Sequence, residues 1–131
     1  MKLRMVLSVY AVLMLIGAVV SLAVPAQYME FYGVVPDATA VLLLRAIGAA
    51  GVGLALMAWL ARNANASPAL DAMVLGLTVM SAITAVVLAM GAASGRYNAL
   101  AWVPAGLYAL FAVWFGIAGR ASMTPKPAAG A

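Results

Sequence analysis

Very few side chains in this sequence are equipped for chemistry. Among 131 residues there is no Cys and no His. That removes thiol nucleophiles, disulfides, Ser-His-Asp triads and His-ligated haem or zinc sites. The acidic residues are Glu30, Asp37 and Asp71; the basic ones, Lys2, Arg4, Arg45, Arg62, Arg96, Arg120 and Lys126, are scattered singly. A nucleic-acid partner would need Lys and Arg gathered on one face or in runs, so none is expected. The nine Met residues have no His or Cys beside them and read as packing rather than as copper ligands. GAAGVG at 48–53 follows no strand and is no phosphate loop. No metal or cofactor is expected.

Arg45 is the charge that asks for an explanation, because it lies well inside a long apolar stretch. It follows Asp37 by eight residues, about 12 Å along a helix at 1.5 Å per residue. A structural reading has it lean toward the helix N-terminus and snorkel to the lipid headgroups. A functional reading turns it into the protein, since Arg45 shares a helical face with Val41, Gly48, Ala49 and Val52 and small residues favour a helix contact. It would then need a partner, and Glu30 in the preceding loop is the candidate for a bidentate pair. Thr84, Tyr108 and Gly17 come to a similar depth, and Pro104, lacking an N–H, would free the Leu100 carbonyl nearby. Together Glu30, Arg45, Thr84 and Tyr108 outline an outward-facing polar pocket, with Phe31 and Trp102 as aromatic walls.

The elements that must position these residues follow from composition. The chain is 68% hydrophobic and 8% charged, where a soluble domain is about half apolar and a quarter charged. Four apolar stretches, at about 5–24, 38–61, 70–93 and 98–119, are each long enough to cross a bilayer as helix. The expected fold is all-α, an antiparallel four-helix bundle integral to the membrane. The basic start and small residues at 21–26 also resemble a secretory signal peptide, although its apolar region is longer than usual. Asp37 suits an N-cap. Tyr28, Phe31 and Tyr32 have the spacing of one helical face and suit the membrane interface. The tail 120–131 is small, Pro-bearing and expected to be disordered.

Lys2, Arg4, Arg62, Arg120 and Lys126 flank one end of such a bundle and Arg96 the other, which predicts both termini in the cytoplasm and an inner (plasma) membrane location. Helices in a bilayer associate through small residues. Candidate packing positions are Gly48, Ala49, Gly51, Gly53 and Ala55 in the second span, Ser81, Ala85 and Ala89 in the third, and Ala101, Ala105 and Ala109 in the fourth.

The passage FYGVVPD leading into LLLRAIGAAGVGLALMAWLAR, within a four-span chain of this size, resembles the DoxX-like bacterial membrane proteins. The resemblance covers nearly the whole chain and rests on a Gly/Pro loop and the Arg45–Gly48 stretch. It implies a four-helix membrane bundle, with some relatives serving as small subunits of quinone-linked oxidoreductases; no catalytic residue carries over. Three functions are open. The first is an accessory or structural membrane subunit, with a membrane-protein partner or a second copy of itself. The second is a binder of a lipid or quinone-type molecule around Arg45. The third is a small multidrug-type transporter, against which stands the lack of a carboxylate inside a span.

Overall fold

A computed structural model describes residues 2–123; the expectations for 124–131, Lys126 among them, lie outside these. Helix α1 (Leu3–Ala23) ends where Pro25 opens the short α2 (Pro25–Phe31), because proline fits the first helical turn and disfavours helix at the residue before it. Helix α3 (Ala38–Ala61) begins at Asp37, whose carboxylate accepts from the Thr39 and Ala40 N–H groups at 2.9 Å. The Ser67 hydroxyl caps α4 (Pro68–Ala93) by accepting from the Leu70 N–H. A 3-10 turn, Ala99–Ala101, leads into α5 (Trp102–Ser122).

Among the described residues there is no strand. Four helices are long and apolar enough to cross a membrane, and they point to a small membrane protein. The expected spans coincide with them to within a few residues. One departure occurs: α5 takes in Arg120, Ala121 and Ser122, where the tail is expected to begin; the 25–31 segment with its helical spacing is the short helix α2.

The four long helices run up and down as two hairpins, α1 with α3 and α4 with α5, joined chiefly where α1 meets α5; α3 and α4 share no extended interface. Small residues make each hairpin. Gly48, Gly51, Ala55 and Ala58 are the buried residues of α3, and a Cβ at Gly48 or Gly51 would come within 3.0 Å of Ala18 on α1. On α4 Ser81 and Ala85 are buried, as are Ala101 in the 3-10 turn and Ala105 on α5. Ala49, Gly53 and Ala109 remain exposed and Ala89 half-buried, so those two positions of α3 face away from the helix it packs on.

The half of the bundle nearer the chain termini is solid. Val6, Leu7, Tyr10 and Ala11 of α1 meet Leu70, Val74, Leu77, Phe111, Phe115 and Ala118 of the other hairpin, with Ala58 of α3. The Tyr10 ring stands edge-on to Phe111 and Phe115, each at 5.2 Å, the geometry that aromatic quadrupoles favour.

At the opposite end the two loops are clamped together by Asn98. Its amide donates to the Phe31 carbonyl at 2.8 Å, its N–H to the Tyr32 carbonyl at 2.9 Å, and its side-chain oxygen accepts from Leu100. Gly33, at φ 77°, makes the turn that brings the Tyr32 carbonyl to this contact; other residues rarely adopt that conformation.

Candidate functional site

Because the hairpins touch closely only in the terminal half, the loop half opens into a cavity of about 500 Å³, a volume typical of small-molecule sites. α1 contributes Met14, Gly17, Ala18 and Ser21, α3 Ala40 to Gly51 along one side, α4 Thr84 and Leu88, and α5 Pro104 and Tyr108. Tyr28 and Tyr32 from α2 and its turn, with Tyr97 from the 94–98 loop, line the end nearest the clamp. On the side where α3 and α4 part, the rim is Leu43, Ile47 and Val87, each more than half exposed. The cavity therefore opens sideways between two apolar helices.

The lining is apolar apart from hydroxyls and holds no Lys, Arg, Asp or Glu. Three of those hydroxyls, on Thr84, Tyr97 and Tyr108, are poorly satisfied by the protein. Ser21 donates to the Gly17 carbonyl at 2.8 Å, the usual local solution in a helix. Tyr108 donates to the Met14 sulfur at 3.8 Å, and a thioether is a weak acceptor. Burial, with a hydrogen bond to the Tyr32 hydroxyl, pushes the Tyr28 phenol well above its ordinary value. Thr84 and Tyr97 make no side-chain hydrogen bond to a described residue. The Tyr97 ring is seated on the backbone of Gly91, where a Cβ would overlap it.

Of the residues expected at a site, Thr84 and Tyr108 are brought together here with Gly17. Arg45 and Glu30 are not: both are exposed, neither lines the cavity, and no ion pair joins them. Successive residues on a helix are about 100° apart, so Gly48 and Ala49 fall on opposite sides of the direction of Arg45. Gly48 turns to α1 while Ala49 and Arg45 turn outward, the direction of the snorkelling reading rather than that of a pocket residue. Phe31 and Trp102 are also exposed, at 58% and 52%, and the aromatic walls are Tyr28, Tyr32 and Tyr97 instead. Pro104 sits in the first turn of α5, where no intrahelical N–H is missed, and lines the cavity rather than supplying a carbonyl to Arg45.

Met14 and Tyr97 went unsuspected as lining. For Tyr97 a signal existed, since Gly91, Ala92 and Ala93 close a span and leave room for a returning ring. Arg62, at the end of α3, donates to the Trp59 carbonyl and lies 3.4 Å above the Trp59 ring, a local cation–π anchor. Among the described residues no three acidic side chains gather where a metal ion would be held. Comparison with family models, with curated proteins and with solved structures found no match.

Proposed function

We propose that this small membrane protein binds an uncharged, lipid-like amphiphile in the cavity between its hairpins, and that the ligand arrives from the bilayer. The observation that carries this reading is the cavity itself: apolar walls, several unspent hydroxyls, no charge, and a lateral opening where α3 and α4 separate. An anionic headgroup buried there would lack a cation and pay the full desolvation penalty, whereas carbonyl or hydroxyl oxygens find donors in Thr84, Tyr97 and Tyr108. The Asn98 clamp closes the loop end, which leaves the side as the open route.

The reading includes an orientation. Lys2, Arg4, Arg62 and Arg120 flank one end and Arg96 the other, which by the positive-inside rule puts the termini in the cytoplasm and the cavity in the outer leaflet of the plasma membrane. Kinship with DoxX-like proteins belongs to the same proposal, and a lipid-soluble ligand accords with what that resemblance implies. An accessory-subunit role draws support from a separate feature, the outward face of α3, where Ala49 and Gly53 stay exposed beside Arg45 and would seat a helix of a membrane partner.

Native mass spectrometry from gentle detergent tests both. A retained neutral lipid supports binding; a copurifying protein subunit with an empty cavity supports the accessory role and counts against the binder.

A further inference from the structure

Among the described residues two hydroxyls are buried without a hydrogen-bond partner, those of Tyr10 and Ser81, whose residues are 1% and 0% exposed. Four other helical hydroxyls settle locally: Ser8, Ser21, Thr78 and Ser122 each donate to the carbonyl four residues back. A buried hydroxyl left unbonded is destabilising, and such groups in native proteins call for an explanation.

Their position supplies one. On the antiparallel α4–α5 pair, Val74 lies against Gly119 and Thr78 against Gly116; continuing that register puts Ser81 level with Ala112 and Val113. Tyr10 packs between Phe111 and Phe115, which is the same level. The cavity floor, Met14, Thr84 and Tyr108, lies about one helical turn nearer the loops on each of the three helices. Across that floor the Tyr108 hydroxyl donates to the Met14 sulfur at 3.8 Å, and Met14 is an unbranched, adaptable side chain.

We propose that Tyr10 and Ser81 form a second polar subsite beneath the cavity floor, uncovered when the Met14 side chain moves aside, which holds a carbonyl or hydroxyl oxygen at the head of the neutral amphiphile. The head then points into the bundle and the tail leaves between α3 and α4. This rests on the cavity reading and specifies its ligand: a lipid with an uncharged, oxygen-bearing head slim enough to pass Met14, and no phosphate.

The test is equilibrium binding of radiolabelled 1-monooleoylglycerol to the full chain in nanodiscs, with Tyr10→Phe and Ser81→Ala as the informative variants and Gly17→Leu as a cavity plug. Each hydroxyl removed is expected to weaken binding about threefold to tenfold, and the plug to abolish it. In ligand-free detergent, Tyr10→Phe and Ser81→Ala are expected to melt no lower than the parent, because neither loses a hydrogen bond. Unchanged affinity in both variants, with the plug still effective, overturns the subsite and leaves the cavity reading standing. A lowered melting temperature of ligand-free Tyr10→Phe also overturns it, by revealing a partner already present. Failure of the parent chain to bind the probe overturns the cavity reading and the subsite with it.

Discussion

Two glycines one turn apart in depth offer a matched pair of perturbations with opposite expected signs. Gly17 on α1 and Gly48 on α3 both line the cavity, and both lie within long helices. Replacing either by Ala brings the same intrinsic gain, about 0.8–1 kcal/mol in a helix interior. Their surroundings differ. A Cβ on Gly17 meets nothing within 4 Å, whereas one on Gly48 would stand 3.0 Å from the Ala18 carbonyl oxygen and the Leu22 Cγ, and 3.1 Å from the Ser21 Cβ.

Ala18 and Ser21 present backbone or backbone-anchored atoms, so relief requires α1 to move away from α3, and overpacking of that kind costs about 1–3 kcal/mol. Gly17→Ala is therefore expected to stabilise by up to about 1 kcal/mol, and Gly48→Ala to fall below it by about 1–3 kcal/mol, the steric difference alone. Thermal unfolding in detergent, followed by circular dichroism, measures the pair; about 4 °C per kcal/mol is the scale for a chain of this size. The reasoning is refuted if Gly17→Ala melts no higher than Gly48→Ala, because α1 would then be packed at Gly17 and the cavity would be closed.

Three further outcomes follow from the packing. Ala85→Leu is expected to destabilise by about 1–3 kcal/mol, since Ala85 is buried in the α4–α5 hairpin; an unchanged melt would mean that this face looks at lipid. Gly91→Ala should displace Tyr97 from α4 and weaken retention of a bound neutral lipid in native mass spectra, with retention equal to the parent counting against Tyr97 as a wall. Glu30→Ala and Arg45→Ala should add in a double-mutant cycle, with coupling below about 0.5 kcal/mol; a larger coupling would mean that the two side chains pair in the membrane after all.

The four spans were readable from the sequence because apolar length and end signals are local: Asp37, Ser67 and Pro25 each act on the turn they begin or end. Depth was readable too, which is why Thr84 and Tyr108 were grouped with Gly17. Azimuth was not. Residues 46–58 carry small side chains nearly all round α3, so Ala49 with Gly53 and Gly51 with Ala55 were equally plausible seams, and only assembly with α1 selects Gly48, Gly51 and Ala55. In a bilayer the usual guide, burial of an apolar face against a polar one, is absent. Arg45 inherited that ambiguity, and the choice of seam carried it to the outer face. Three tyrosines of the cavity are hidden for another reason: Tyr28 on α2, with Tyr32 and Tyr97 in the loops, lies outside the spans in segments whose mutual clamp depends on Asn98, a contact across 67 residues of chain.

The most direct measurement is photo-crosslinking in intact membranes with a neutral, diazirine-bearing lipid, followed by mapping of the labelled residues. Ordinary lipid contact would label the outward faces, Leu42, Leu60 and Val103, which are more than half exposed. Occupation of the cavity is expected to add label at Met14 and Tyr108, half-buried residues on its floor, and that added label should vanish in Gly17→Leu while the outward label persists. Label confined to the outward faces, or label at Met14 and Tyr108 that survives Gly17→Leu, would contradict the binding of a neutral lipid between the hairpins.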